Sequence, residues 1–304
     1  MKIDSTTVTL VLLVEEEGSI TRAADRMQLA VAAASKRITD LETQLATRLF
    51  KRQAHGVRLT EAGEKLLAHI KQIDNLTQRL RSDARALSQG RGGRILIGAP
   101  KAAAIQFLAA DLARIHHTDP EIQLQVVEEN SRIVQQLLRD RVIDVGIFEK
   151  TSGFMELPQW NYRSDELHLI YHRRHFSLQD GPLDIDDLLP LPIISLGRGS
   201  AILASLTRAY ESRGRVFQSR FTVSGFDTML ALVQEGVGVG LMPPGVFERF
   251  RTGEDMVSAA LEGEWHRRSY VLSFIEGHAQ QQTLHHVVNS LLRRSAFLEE
   301  APPY

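Results

Sequence analysis

Cysteine is absent from this 304-residue chain. That excludes disulfides, thiolate metal sites and cysteine nucleophiles, and it is in keeping with a reducing cytoplasm. No run approaches the about 20 consecutive apolar residues that a membrane-spanning helix needs. The stretch 8–14 (VTLVLLV) is followed by three glutamates and by no small-residue cleavage site. It therefore reads as a first amphipathic helix rather than a signal peptide. Overall charge is nearly lacking too, at a net of −1, but it is unevenly spread. Residues 1–94 carry 16 Lys and Arg against 11 Asp and Glu, a net of +5. The remainder carries 20 against 26, a net of −6. A basic front joined to an acidic back suits a nucleic-acid module fused to something else.

Metal-binding and catalytic patterns are missing as well. His168 and His172 share a face of an expected strand, but four residues along a strand separate them by roughly 13 Å. The pairs His116-His117 and His285-His286 diverge on helices. No Ser/His/Asp order with a nucleophile elbow occurs. The glycines at 236, 238 and 240 lie before and within an expected strand, whereas a pyrophosphate site needs them after a strand and opening a helix. No catalytic residue, metal or cofactor is expected.

What is present begins at residues 17–60. Gly18-Ser19 breaks the first helix, and Thr21 stands where an N-cap hydroxyl is expected. Ala23, Ala24 and Met27 make a small apolar face for a crossing helix. That second helix runs from about Val31 to Leu45, with Ala34, Ile38, Leu41 and Leu45 at 4, 3 and 4 spacing on its buried side. Ser35, Lys36 and Arg37 lie near its start. A basic turn with Gly56 and a short strand then suggest a wing. A helix pair of this kind is what a DNA major groove admits.

In EEEGSITRAADRM (15–27), ASKRITDLETQLATRLFKR (34–52) and VRLTEAGEKLL (57–67) the chain resembles the LysR-type transcriptional regulators. The resemblance implies a winged helix-turn-helix over 1–60, a dimerising linker helix with hinge over 61–93, and an effector-binding domain over 94–304. It implies DNA contacts by Ser35 and Lys36, by Arg58 and His55 in the wing, and by Lys51 and Arg52 on phosphates. Thr21 and Arg37 are further candidates. The chain departs from the family at the start of the recognition helix. The family often has Ser-Gln-Pro or Ser-Gln-Ser there, and this chain has Ala30-Val31-Ala32. Val31 and Ala32 can offer only apolar contact, for instance to a thymine methyl.

Residues 60–89 form a long helical run with Leu66, Ile70, Ile73, Thr77, Leu80, Ala84 and Leu87 recurring at 4 and 3. This is a heptad seam. Leu66, Ile70, Ile73, Leu80 and Leu87 are the expected dimerisation residues, and a Gly/Arg hinge (89–94) follows. Beyond it strands and helices alternate: strands at 94–99, 122–129 and 144–149 with helices at 102–116 and 131–140. Further strands are expected at 166–172, 192–196, 215–223, 237–243 and 270–275. Helices are expected at 200–213, 226–235 and 279–298. This is an α/β pattern with a parallel sheet. The resemblance implies two lobes, like a periplasmic binding protein without its export signal: lobe I from 94–161 and 269–304, lobe II from 162–268.

Ligands of such sheets sit at the carboxyl ends of strands, where helix N-termini point in. Family members often have Ser or Thr after the first strand, but this chain has Pro100, Lys101 and Ala102, so Lys101 offers a point charge instead. The turn SLGRGS (195–200) brings Gly197, Arg198 and Ser200, with Ser200 the expected helix cap. Phe148, Ser224, Phe226 and Asp227 lie at other strand or helix ends. The expected function is a transcriptional regulator, active as a homodimer or a dimer of dimers on double-stranded DNA and controlled by a small, anionic effector. The alternatives are a solute-binding protein without DNA function and an α/β enzyme.

Overall fold

The computed structural model describes residues 3–53, 56–89, 94–151, 157–179, 181–197, 199–251, 253–276 and 281–292. The wing tip with His55, the hinge 90–93, Arg198 and the end of the last expected helix lie outside them. Two compact units divide the chain, Met1–Gly90 and Arg91–Tyr304.

The first unit opens with helix α1 (Ser5–Glu17), capped by Asp4, whose carboxylate accepts from the Thr7 N–H. Its apolar residues Val8, Leu10, Val11 and Val14 are buried, as the amphipathic reading expects. Helix α2 (Ile20–Arg26) and helix α3 (Val31–Gln44) follow. The cap of α2 is Ser19, not Thr21: its hydroxyl accepts from the Arg22 N–H at 3.3 Å, and Thr21 lies exposed inside the helix. Helix α3 buries Ala34, Ile38 and Leu41, the expected face. Strands β1 (Phe50–Gln53) and β2 (Gly56–Leu59) form an antiparallel hairpin. Gly56 has φ +133°, and a Cβ there would lie 2.3 Å from the Gly18 carbonyl oxygen, so only glycine fits at this close approach.

Helix α4 (Glu61–Gln89) has 29 residues and runs about 44 Å at 1.5 Å per residue. Thr60 caps it, accepting from the Gly63 N–H at 2.9 Å. Its early apolar positions do not belong to an outward seam. Ile70 is buried and Leu66 half-buried in the same core as α1 and α3, because the first turns of α4 pack on α1. Ile73, Leu76 and Leu80 are instead exposed, spaced 3 and 4. Leu76 thus takes the place expected of Thr77. The side chain of Leu87 lies outside the described residues.

In the second unit come β3 (Arg94–Ala99), α5 (Lys101–Ala103), a π-helical turn (Ala104–Leu108) and α6 (Ala109–Thr118). Then follow β4 (Gln123–Glu128), α7 (Ser131–Arg139), β5 (Val145–Glu149), β6 (Trp160–Glu166) and β7 (His168–His172). The chain continues through α8 (Ile185–Leu188), β8 (Ile193–Leu196), α9 (Ala201–Ser212), β9 (Phe221–Val223), α10 (Phe226–Gln234) and β10 (Val239–Met242). It ends with α11 (Pro244–Phe250), β11 (Met256–Ala259), β12 (Arg267–Phe274) and α12 (Gln281–Leu292).

Two five-stranded sheets result, in the orders β4-β3-β5-β12-β6 and β11-β7-β10-β8-β9. The pairs β3–β4, β3–β5, β8–β9 and β8–β10 are parallel, while β6, β7, β11 and β12 add antiparallel pairings. Each sheet has its own core. The crossing differs from the expected boundary. All of β6 pairs in the first sheet, and the chain passes to the second at Leu167 and returns before Arg267. The expected strand 215–223 shrinks to its last three residues. There the Ser219 hydroxyl bonds to the Phe221 carbonyl, local side-chain bonding that competes with a ladder.

Candidate nucleic-acid interface and ligand cleft

Helix α3 begins without a side-chain cap, since Ala30 has no hydroxyl or carboxylate to offer. Its first turn leaves Val31, Ala32 and Ala33 exposed. One turn on, Lys36 is exposed and Ser35 half-buried. Lys36 is 3.7 Å from Asp40, a loose surface pair that leaves the ammonium open to other anions. Arg37 serves differently from expectation. It binds Asp4 at 2.8 Å and the Thr7 hydroxyl at 3.1 Å, which ties α3 to the start of α1. The Thr7 N–H and the Arg37 guanidinium hold the Asp4 carboxyl below its usual range. Lys51, Arg52 and Arg58 stand exposed on the hairpin.

One residue that sequence reasoning missed fixes the hairpin. Glu42 Oε1 accepts from the backbone N–H groups of Leu49 and Phe50, at 2.8 and 2.9 Å. One carboxylate thereby ties the end of α3 to the start of the hairpin. A glutamate on an otherwise polar helix face carries no sequence signal for such a role.

In the second unit, the starts of α5, α7, α9 and α10 meet around a cavity of about 450 Å³. Of the expected ligand residues, Pro100, Lys101, Ala102, Gly197, Ser200, Ser224 and Phe226 line it. Phe148 does not. It is wholly buried beneath the first sheet, with Val134, Leu138 and Val271, because a strand centre places alternate side chains in the core. Ser200 occupies the cap position of α9 without bonding from its side chain. Pro100 and Gly225, at the starts of α5 and α10, have no side chain able to cap. Only α7 is capped, by Asn130, which accepts from the Ile133 N–H at 3.1 Å. Three helix starts thus leave N–H groups unused beside the cavity, where an anion is favoured. Lys101 crosses from the first lobe to the second. A Cβ on Gly225 would lie 2.2 Å from Asp227 Oδ1 and 3.3 Å from Lys101 Nζ, so the glycine leaves room for the Asp227 carboxylate first and for the ammonium beside it.

The floor of the cleft was not foreseen. Arg268 and Tyr270, both buried on β12, line it. Arg268 donates from Nε to Asp165 Oδ1 at 2.8 Å and from Nη2 to Oδ2. Gln106, in the π-helical turn, donates to Asp165 Oδ2 at 2.7 Å. Burial drives the Tyr270 phenol far above its usual pKa, so it stays a neutral hydroxyl. Near the crossing, burial also pushes the His266 imidazole below its ordinary value. Among the described residues no group of three or more His, Asp or Glu could hold a metal ion, and no helix is long and apolar enough to cross a membrane.

Residues 88–296 match the LysR substrate binding domain model, and residues 7–64 match the bacterial regulatory helix-turn-helix model of the lysR family. The chain belongs to the LysR family of transcriptional regulators. Its LysR relatives include the HTH-type transcriptional regulator YofA of Bacillus subtilis (strain 168), 28% identical over 76% of this chain and 78% of that one. The HTH-type transcriptional regulator CysB of Burkholderia cenocepacia is 25% identical over 86% of this chain and 88% of that protein. The LysR regulator CbnR has the same fold, with a TM-score of 0.76 at 19% identity, covering 96% of this chain and 99% of CbnR. A second structure holds full-length CbnR with its target DNA, at a TM-score of 0.75. As a LysR-family transcriptional regulator the chain carries a helix-turn-helix DNA-binding domain and an effector-binding substrate domain.

Proposed function

We propose that α3 enters the major groove of a pseudo-palindromic site in the cytoplasm, with residues 1–60 as the DNA-binding domain and 61–93 as linker and hinge. Val31, Ala32, Ser35 and Lys36 face the bases and backbone, while Arg52 and Arg58 on the hairpin neutralise phosphates. Ile73, Leu76 and Leu80 form the seam that joins two copies through α4. In residues 94–304 the cleft takes a small effector carrying an anionic group. The observation that carries this is the meeting of three uncapped helix starts with Lys101 across one cavity of about 450 Å³. Glu128 and Glu129 line the same cavity. They disfavour a ligand negative at both ends and favour one whose second end donates hydrogen bonds. The effector switches DNA binding only by its preference for one arrangement of the lobes, and no catalytic step is involved.

The test is a thermal-shift screen of the full chain with small carboxylates, aromatic acids, phosphates and neutral analogues. Compounds with one anionic group should raise the melting temperature, and Lys101→Ala should remove the shift while leaving DNA affinity intact. Stabilisation by neutral compounds alone, or an undiminished shift in Lys101→Ala, refutes the anionic reading.

A further inference from the structure

We infer that this regulator reads its DNA site through thymine 5-methyl groups, contacted by Val31 and Ala32 at the start of α3. The inference rests on α3 being the helix that enters the groove. Val31, Ala32, Ser35 and Lys36 stand at i, i+1, i+4 and i+5, so they share one face and lie one turn apart. That face is graded. Lys36 gives it a cation, Ser35 a single hydroxyl, and its leading turn is wholly apolar.

The leading turn is the part of a groove-bound helix that meets base edges. Hydrogen-bond readout there needs a side chain with a polar atom, and the bidentate form needs two, as arginine has for guanine or glutamine for adenine. Ala30, Val31, Ala32 and Ala33 have none. What they do present is methyl groups, with Val31 at 41% exposure. In the major groove the one base that offers an apolar group is thymine. Short side chains also let the helix backbone approach closely. The N–H groups of this turn, which the Ala30 side chain does not cap, then have a phosphate oxygen within reach. Lys36 supplies exposed positive charge one turn on, its side chain 76% exposed and only loosely paired with Asp40 at 3.7 Å, whereas Arg22 and Arg26 on α2 are held by Glu16 and Glu17.

The inference predicts a site whose key positions are thymines and whose recognition depends on a single carbon atom. The experiment uses the full chain. Its preferred site is selected from a pool of random duplexes, then remade with deoxyuridine in place of each thymine in turn, which removes the methyl and keeps every hydrogen-bonding group. Binding is read by fluorescence anisotropy at one fixed salt concentration. Kd should rise about fourfold for each buried methyl, and about fifteenfold when the symmetric thymine of the second half-site is also replaced. Val31→Ser should bind the thymine duplex more weakly and lose the uracil penalty at the thymine that Val31 contacts. Lys36→Ala should weaken both duplexes equally and keep the uracil penalty. Wild-type binding that is indifferent to uracil at every position overturns the inference, as does an undiminished uracil penalty in Val31→Ser. If Val31→Ser, Ala32→Ser and Lys36→Ala all bind like wild type, α3 is not the reading helix and the underlying assignment falls with it. A uracil penalty that Val31→Ser alone abolishes supports both.

Discussion

Removing the Arg268 guanidinium is the sharpest perturbation of the effector unit. Arg268 and Asp165 have side chains only 3% and 4% exposed, and two hydrogen bonds join them. Water cannot replace the guanidinium where so little of the carboxylate is reachable. Arg268→Ala leaves Asp165 with the Gln106 amide and a distant Tyr270 hydroxyl at 3.5 Å. Breaking a buried pair from one side costs about 3–5 kcal/mol. In a unit of about 210 residues, each kcal/mol lowers the melting temperature by roughly 2–4 °C. The α/β transition should therefore fall by about 6–20 °C in calorimetry, with the helix-turn-helix unit unaffected. The double variant Arg268→Met with Asp165→Leu removes both charges and fills similar volume. It should recover at least half of the loss, since a buried pair adds little over a well-packed apolar one. A loss below about 1 kcal/mol in Arg268→Ala, or a double variant as unstable as the single one, would show that packing and not charge holds the crossing together.

Three further outcomes test other parts of the argument. Leu76→Glu or Leu80→Glu should shift full-length protein toward monomer in analytical ultracentrifugation, whereas Ile70→Ala should cost about 2–5 kcal/mol of helix-turn-helix stability, seen in its melting, because that side chain is core. Glu42→Ala strips the acceptor from two backbone N–H groups. It should destabilise the first unit by about 1–3 kcal/mol and weaken DNA binding in gel shifts. His266 is held neutral by burial, while the unfolded chain titrates near 6.5. The unfolded state then takes up a proton that the folded state refuses as pH falls below about 6.5, so stability should decline there and be unaffected above about 7.5. His266→Gln should flatten that slope in melts from pH 5 to 8, and an unchanged slope would clear this histidine.

Local pattern was enough for much of the molecule. The 4, 3, 4 spacing of Ala34, Ile38, Leu41 and Leu45 identified the face that α3 buries, because periodicity is a property of the chain itself. The same holds for the buried strand RILIGA and for the loops at Lys101 and Ser224, which follow from strand ends and helix starts. Strand β6 was hidden because its charged residues mask the alternation of Trp160 and Tyr162. Only the tertiary structure decided partnership. The seam of α4 looked uniform in sequence, yet α1 claims Ile70 and leaves Leu76 and Leu80 to the outside. Ser19 rather than Thr21 caps α2, a choice set by one turn of backbone. Arg37 reads as a groove residue until Asp4, 33 positions away, arrives beside it. Asp165, Arg268 and Gln106 carry no motif, because they are scattered along 163 residues and meet only where the chain crosses between sheets. Periodicity records which side of an element is apolar, but the neighbour that covers that side is chosen by the fold.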